Sequence, residues 1–194
     1  MAYDASATRQ RILTAARDEF AAHGVAGARV DRIAAAAQAN KRAIYDYFGD
    51  KEALFSVVLE REMIHCAEFV PLDGDDLGEY ARNLVEYQAE NPHFLRLLMW
   101  EALEFEGAQI PGREVRTAKY LARAERISEA GHAPERAREL LFFAMALSNW
   151  GLVAPQLRQM ILGPEYEDPK RLAAAAADAV RALARQEAPA EQKT

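Results

Sequence analysis

Residues 40–55, NKRAIYDYFGDKEALF, concentrate cations and tyrosines in a stretch with the pattern of a short helix. Lysine, arginine and tyrosine side chains bind phosphate oxygens, and arginine also forms two hydrogen bonds with a guanine edge. Helical spacing places Ile44 and Phe48 on one apolar face. A different face carries the polar side chains Lys41, Arg42 and Tyr45. The stretch is compatible with nucleic-acid binding, although such residues more commonly form a solvated helix surface.

A second chemistry, metal binding, is suggested by the motif Glu-x-x-His, which ligates di-iron sites in four-helix bundles. The motif occurs as Glu62/His65, Glu90/His93 and Glu129/His132. Pro92 interrupts the second pair and Gly131 the third, so neither is expected on one continuous helical face. A helical-bundle metalloenzyme that uses Glu62/His65-type ligands is therefore the alternative function. The sequence has no Cys/His metal spacing, nucleophile elbow or phosphate loop, so we expect no catalytic residue, metal or cofactor.

The charge of the chain differs between its two parts. The 194 residues are 51% hydrophobic and 28% charged, as in a globular protein, and the formal net charge is −6. Residues 1–51 nevertheless hold 8 Lys+Arg against 6 Asp+Glu, and the remainder holds 16 against 24. Because salt screens phosphate attraction over about 10 Å, the N-terminal part can attract DNA although the whole chain is acidic.

The sequence predicts a cytoplasmic protein. It starts without a basic and apolar leader, and its single cysteine, Cys66, excludes an intrachain disulfide. Residues 140–157 are uncharged over a length that raises the question of a membrane helix. Asn149, Gly151 and Pro155 interrupt this run, so a helix buried in a core or interface is the better interpretation, and we expect no membrane partner.

Helical periodicity runs through the chain and no alternating strand pattern occurs, so the predicted fold class is all-α. An apolar stripe predicts a helix over 7–23 that Gly24 ends. VDRIAAAA predicts a second helix, and after the turn QAN, Asn40 caps a third that ends at Phe48. Asp50 caps a fourth helix, which ends near Phe69. Further helices are predicted over 76–90, 92–106, 112–130, 134–161 and 169–187.

A helix, a three-residue turn and a short helix make a helix-turn-helix, whose second helix enters the DNA major groove. Residues 8–60 resemble the DNA-binding domain of the tetracycline-repressor (TetR) family, most specifically in IYDYFGDKEALF. The resemblance implies a three-helix DNA-binding domain over 1–50 and a larger helical domain over 51–194 for dimerisation and effector binding. The expected function is a homodimeric transcriptional repressor, not an enzyme, that binds a palindromic double-stranded DNA operator and is released by a small-molecule effector.

The resemblance also assigns DNA-contacting positions: Arg29, Asn40, Lys41, Arg42, Ala43, Tyr45, Tyr47 and Lys51. It implies base-edge contacts from Arg42 and Ala43, backbone contacts from the two tyrosines, and a phosphate contact from Lys51. The sequence departs from the family pattern at three positions. Arg29 stands in place of a hydroxyl cap, Gln38 in place of a turn glycine, and Asp46 in place of a histidine. The turn at Gln38 is expected to use either a positive φ at a non-glycine residue or a different turn geometry. Asp46 would repel phosphate or accept a hydrogen bond from cytosine.

The remaining candidates belong to the larger domain. Small residues suit a close helix–helix dimer interface, for which the candidates are Gly151, Ala173, Ala176 and Val180; packing within one chain is the alternative. Large apolar residues are candidates for an effector pocket: Phe69, Trp100, Phe105, Phe142, Met145 and Trp150. Most of these are expected to be core residues. Glu101 and Glu104 flank Trp100 and would favour a cationic effector, unless they simply face solvent.

Overall fold

The computed structural model describes residues 5–72, 74–105, 110 and 112–185. Over this part of the chain it contains ten α-helices, one 3₁₀ turn and no strand, which confirms the all-α prediction. The helices are α1 (Ala5–Gly27), α2 (Val30–Ala36), α3 (Lys41–Phe48), α4 (Lys51–Phe69), α5 (Leu77–Glu90), α6 (Pro92–Glu104), α7 (Arg113–Glu129), α8 (Pro134–Val153), α9 (Pro155–Leu162) and α10 (Pro169–Arg185). The predicted helix ends at 106 and 187 lie outside the described residues.

The chain forms two compact units. The first unit comprises Met1–Ala67 and Asn91–Arg113, and the second comprises Glu68–Glu90 and Glu114–Thr194. The first unit therefore holds α1–α3, most of α4, and α6, and it extends beyond the expected domain boundary at residue 50. Division of the chain into functional domains at that residue stays a prediction.

The first unit is built on the apolar stripe of α1. Ile12, Ala16 and Phe20 are completely buried, as their helical spacing predicts. The ring of Phe20 meets the ring of Phe55 on α4 edge to face, with the centroids 5.3 Å apart. Phe105, which follows α6, stacks on the Phe55 ring with the centroids 5.6 Å apart. These contacts hold α1, α4 and the end of α6 in one core.

A kink at Gly24 divides α1 near the predicted helix end. Gly24 has φ 68° and ψ −176°, a backbone conformation that is nearly restricted to glycine. A Cβ atom at this position would overlap the carboxylate of Glu104 and lie 2.8 Å from the indole of Trp100. Glycine is therefore required here both by the backbone angle and by the close approach of α6.

The predicted helix caps are present around α3. The side chain of Asn40 accepts a hydrogen bond from the Arg42 amide at 2.9 Å, and that of Asp50 accepts one from the Ala53 amide at 2.7 Å. Gln38 has φ 49°, so of the two alternatives left open by the sequence, the turn between α2 and α3 uses a positive φ at a non-glycine residue.

The second unit packs α10 against α5 and α8. A hydrophobic cluster in this unit brings Val85 on α5 together with Leu172 and the small side chains of Ala173 and Ala176 on α10. Such small residues permit close approach of the helices.

The predicted long helix over 134–161 is wrong, because the structure divides it into α8 and α9 with a bend of 91°. Pro155 explains the break, since the residue before a proline is disfavoured in the α conformation; Ala154 has φ −117° and ψ 64°. Within the described residues, no single helix is long and apolar enough to span a membrane. α8 and α9 reach the length and apolar composition of a membrane-spanning helix only when they are counted together, across the bend between them.

Candidate nucleic-acid interface

Two buried side chains anchor α3 to the first unit. Ile44 and Phe48 are 1% and 8% exposed, and the guanidinium of Arg9 lies over the Phe48 ring, 5.2 Å from its centroid. The opposite face of the helix is solvent-exposed and carries Lys41, Arg42, Tyr45, Asp46 and Tyr47. The polar and apolar faces therefore lie as the sequence predicts, and the polar face is open to a ligand.

Arg42 has the freest access to solvent of the charged groups described on this face. Its side chain is 87% exposed, and its Nε atom lies 3.8 Å from the carboxylate of Asp46, one helical turn later. This separation is an ion pair rather than a hydrogen bond, and exposed pairs contribute little to stability. The guanidinium can therefore exchange solvent for a base edge at low cost.

Lys41 is held by a residue of α2. Its Nζ atom lies 2.8 Å from the carboxylate of Asp31, and hydrogen bonding and charge attraction to Asp31 raise the pKa of Lys41. The pair links the start of α3 to α2 across the turn. Asp31 also partly neutralises the charge that Lys41 would offer to a phosphate.

The segment between α1 and α2 is fixed by side chains from two other helices. The Ala26 amide donates a hydrogen bond to Glu104 at 2.8 Å. The Lys51 ammonium donates to the carbonyls of Ala28, at 3.2 Å, and Ala26, at 3.4 Å. An ammonium has three donors, so one N–H of Lys51 remains available for a phosphate.

Glu19 organises the start of α2. Its carboxylate accepts hydrogen bonds from the Arg29 amide at 2.9 Å and from the Arg32 Nε at 2.7 Å. Burial acts to raise the pKa of Glu19, but these hydrogen bonds and the charge of Arg32 outweigh it, so the pKa lies below its usual value. The main chain of Arg29 is thereby fixed, while the residue as a whole is exposed.

α6 binds the C-terminal part of α1 through its side chains. Arg96 Nε and Trp100 Nε1 both donate hydrogen bonds to the Ala21 carbonyl, at 2.7 and 3.2 Å. These contacts could not be predicted from the sequence, because Trp100 lies 79 residues from Ala21 and no local pattern connects them. The sequence predicted that Glu104 attracts a cationic effector or faces solvent, whereas its carboxylate accepts a hydrogen bond from the Ala26 amide.

The effector-pocket candidates lie in different surroundings. Trp100 and Phe105 belong to the first unit, where they contact α1 and Phe55 respectively. Phe69 is 64% exposed and stacks on Tyr87, with the ring centroids 6.3 Å apart. In the second unit, a cleft of about 490 Å³ lies between α7 and α8. Two candidates, Phe142 and Met145, line it, whereas Trp150 does not.

The dimer-interface candidates make contacts within their own chain. Ala173, Ala176 and Val180 are 0%, 6% and 1% exposed and lie in the core of the second unit. A Cβ atom on Gly151 would lie 2.9 Å from the Leu172 side chain. Intrachain packing, the alternative interpretation, therefore accounts for the small size of these residues.

Glu62 is paired with a histidine other than the one that its sequence motif suggests. Its carboxylate lies 2.8 Å from Nε2 of His93 on α6, and the Glu62 side chain is only 8% exposed. Burial opposes ionisation, but hydrogen bonding to His93 and the charges of His93, Arg17 and Arg61 keep the pKa of Glu62 below its usual value. Among the described residues, no group of three metal-ligating side chains is clustered as a metal site would require.

Comparison with known proteins agrees with this arrangement of helices. Residues 12–58 match the family model of bacterial regulatory proteins of the tetR family. Residues 76–182, more than half of the chain, match the model of the tetracyclin repressor-like C-terminal domain. The chain belongs to the TetR family of transcriptional regulators. This family consists of DNA-binding helix-turn-helix regulators and not of enzymes, so the metalloenzyme alternative is excluded.

Individual relatives support the TetR assignment over most of the chain. The HTH-type transcriptional repressor SCO4008 of Streptomyces coelicolor is 42% identical over 84% of this chain and 87% of its own length. The crystal structure of the putative regulator SCO4942 of the same organism has 33% identity and a TM-score of 0.74, and covers 91% of this chain and 97% of that chain. SmeT in complex with triclosan has the same fold at 21% identity, with a TM-score of 0.65 and coverage of 95% and 100%.

Proposed function

We propose that this TetR-family regulator is a homodimeric repressor that reads a palindromic operator with α3 and is released by a small molecule. The observation that carries the proposal is the exposed face of α3. This face is anchored from beneath by Ile44 and Phe48, and it presents a guanidinium that is 87% exposed. A short, rigid helix with an accessible arginine suits the major groove.

The proposed DNA contacts follow from the chemistry of each side chain. Arg42 reaches a guanine edge, and the small Ala43 lets α3 approach the bases closely. The hydroxyls of Tyr45 and Tyr47, on residues 44% and 37% exposed, bind the phosphate backbone, as does the remaining N–H of Lys51. The remaining proposed DNA-contacting residues lie at the exposed starts of α2 and α3: Arg29, Asn40 and Lys41.

The proposed dimer interface is an apolar stripe on α8, defined by Phe143, Leu147 and Trp150. These residues follow a spacing of four and three, so they share one helical face, and they are 44%, 38% and 60% exposed. Large apolar side chains on one exposed face indicate an interaction surface. A two-fold axis through this stripe would bury it against its own copy. The small residues of α10 are replaced in this role because they already pack within the chain.

The proposed effector site is the cleft between α7 and α8. Its volume of about 490 Å³ lies within the range of small-molecule pockets, roughly 300 to 1,000 Å³. Leu121, Phe142 and Met145 give it apolar walls, and Tyr120 and Asn149 add polar groups. SmeT has this fold and binds triclosan in its solved complex, which supports a small-molecule effector here.

Selection of binding sites from a randomised DNA pool tests the proposed function. We expect enrichment of one palindrome whose half-site centres lie about 34–36 Å apart, or at a multiple of that distance, because two α3 helices must enter grooves on one DNA face. Arg42→Ala should enrich a less specific set. Failure of the wild-type chain to enrich any sequence would refute operator binding, and enrichment of single, unpaired half-sites would refute the dimer.

A further inference from the structure

We propose that Asp46 is a positioning residue that orients the Arg42 guanidinium for guanine and thereby sets the base preference of α3. The inference rests on the proposed function of α3 in DNA binding and assigns a role to a residue that would otherwise repel DNA. Asp46 follows Arg42 by one helical turn, and its Oδ2 atom lies 3.8 Å from the Arg42 Nε. Both side chains are exposed, at 66% and 87%.

The position of Asp46 beside Nε matters because a guanidinium can bind a base in two ways. Arginine offers five N–H donors, and a pair of parallel hydrogen bonds can use either the two terminal nitrogens or Nε with one terminal nitrogen. A carboxylate beside Nε attracts this edge of the guanidinium by charge and so disfavours the second arrangement. The two terminal nitrogens then remain for O6 and N7 of guanine, which accept such a pair.

Charge pairing also explains how an aspartate is tolerated on a helix that approaches DNA. An isolated carboxylate near phosphates is repelled, whereas one paired with arginine forms a nearly neutral unit. Lys41, the other cation at the start of α3, is already paired with Asp31 at 2.8 Å. Arg42 is thus the cation to which Asp46 is coupled. Exclusion of water at a DNA interface strengthens such a pair, because charges interact more strongly at lower dielectric.

A different role for Asp46 is chemically available: its carboxylate can accept a hydrogen bond directly from the N4 amino group of cytosine. The two roles differ in their dependence on Arg42. A positioning residue acts through the guanidinium, so its effect disappears when Arg42 is removed. A base-reading residue keeps its effect at its own position in the site. The ion pair in the structure favours positioning.

The experiment is a binding-site selection followed by affinity measurements on the enriched site and its single-base variants. The proteins are the wild type, Asp46→Ala, Arg42→Ala and the double variant, with Asp46→Glu as the conservative variant. Asp31→Ala is the matched control, because it also removes one carboxylate but one paired with Lys41. Thermal melting checks that each variant is folded.

We expect Asp46→Ala to lower the preference for guanine at one position per half-site by about three- to tenfold, the effect of losing a charge pair at a desolvated interface. Asp46→Glu should retain most of the preference. Asp46→Ala and Asp31→Ala should both strengthen binding to non-specific DNA, because each removes a negative charge, but Asp31→Ala should leave the guanine preference unchanged. In the Arg42→Ala background, Asp46→Ala should change no base preference.

Three results would overturn the inference. Asp46→Ala could leave the base preferences of the wild type intact, which would make Asp46 a spectator. It could weaken a cytosine preference with or without Arg42, which would make it a base reader. Asp31→Ala could reproduce the loss of guanine preference, which would make the effect one of net charge. If instead the wild-type chain bound no DNA specifically, the proposed function itself would fail.

Discussion

At the residue scale, the ammonium group of Lys51 already has backbone partners in the DNA-free chain. Its bonds to the carbonyls of Ala26 and Ala28 fix the segment that leads into α2. The proposed phosphate contact would give Lys51 a second task besides support of the helix-turn-helix, and substitution by different side chains should separate the two.

We expect Lys51→Ala to weaken binding to every DNA sequence and to reduce the salt slope of the binding constant by about one, because one phosphate contact is lost. It should also lower the melting temperature. Lys51→Gln keeps a neutral donor for the carbonyls, so it should recover the melting temperature but not the salt slope. Titration of DNA at several salt concentrations, together with thermal melting, measures both quantities. An unchanged salt slope in both variants would remove Lys51 from the DNA interface.

The buried pair of Glu62 and His93 predicts a pH dependence of stability. The pKa of Glu62 is lowered by folding, so its contribution to the free energy of unfolding is present above the unfolded-state pKa of about 4.3 and is lost as the pH falls through the lower, folded value. Glu62→Gln should therefore flatten the fall in stability below about pH 4.3. Glu68→Gln, at an exposed position on the same helix, is the control, because it removes a carboxylate outside the Glu62–His93 pair. Urea unfolding between pH 3 and 7 measures the effect, and parallel curves for Glu62→Gln and wild type would contradict it.

Whether a contact could be predicted from the sequence depended on how many residues separate its two partners along the chain. The caps at Asn40 and Asp50 bond to residues two or three positions away, so local patterns sufficed to predict them. For the turn at Gln38, local patterns reduced the choice to a positive φ or a different turn, and the structure shows the positive φ. The bond between Glu104 and Ala26 spans 78 residues, and only the fold reveals it. For the same reason, the sequence could place Glu62 in a motif but could not pair it with His93.

At the scale of elements, the kink at Gly24 is the point where α1 lies close to Trp100 and Glu104 on α6. We expect Gly24→Ala to lower the free energy of unfolding by roughly 2 to 5 kcal/mol, because a strained φ and overpacking against Trp100 and Glu104 both contribute. Gly49→Ala is the matched control. Gly49 also has a positive φ, 86°, but a Cβ atom there would meet nothing within 4 Å. Denaturant unfolding of both variants compares them, and equal losses would show that contact with α6 adds nothing.

Whether a helix face packs inside its own chain or against a second copy was not readable from composition. The small residues of α10 fit either case, and the structure places Ala176 in the core of the second unit at 6% exposure. The apolar residues of α8 fit a pocket, a core or an interface. Only their exposure distinguishes the stripe of Phe143, Leu147 and Trp150. Likewise, the sequence contained the signal for the break before α9, because a proline inside a helical pattern marks a boundary.

The α8 stripe leads to a prediction about assembly. Trp150→Arg should shift the chain to monomer while leaving its helical content and melting transition intact, because Trp150 is 60% exposed in the single chain. Ala176→Arg should instead unfold the second unit, since it buries an unpaired charge in a packed site. Sedimentation and circular dichroism on both variants distinguish assembly from folding. If Ala176→Arg gave a folded monomer while Trp150→Arg remained a dimer at micromolar concentration, the interface would lie on α10.

At the scale of the whole molecule, the two family-model matches and the two compact units divide the chain differently. The models match residues 12–58 and 76–182, whereas the first compact unit also includes α6, residues 92–104. α6 thus belongs by sequence to the C-terminal domain and by packing to the DNA-binding unit. α4 is also shared, since it runs without interruption from Lys51 to Phe69 and ends in the second unit. α4 therefore provides a covalent route between the units, and we propose that an effector acts through it on the spacing of the α3 helices.

This connection predicts a reciprocal effect between effector and operator. If an effector releases the repressor, it must bind the DNA-free state more tightly, and by linkage the operator must weaken effector binding by the same factor. Compounds found by thermal-shift screening, which detects ligands that prefer the folded state, supply the probe. Calorimetric titration of one such compound, with and without saturating operator, should give affinities that differ by about 5- to 150-fold, matching the loss of operator affinity at saturating compound.

Ala146→Trp, which fills the cleft between α7 and α8, should abolish compound binding while preserving operator binding. Equal compound affinities with and without operator would contradict the release mechanism, and normal binding to Ala146→Trp would place the effector outside this cleft.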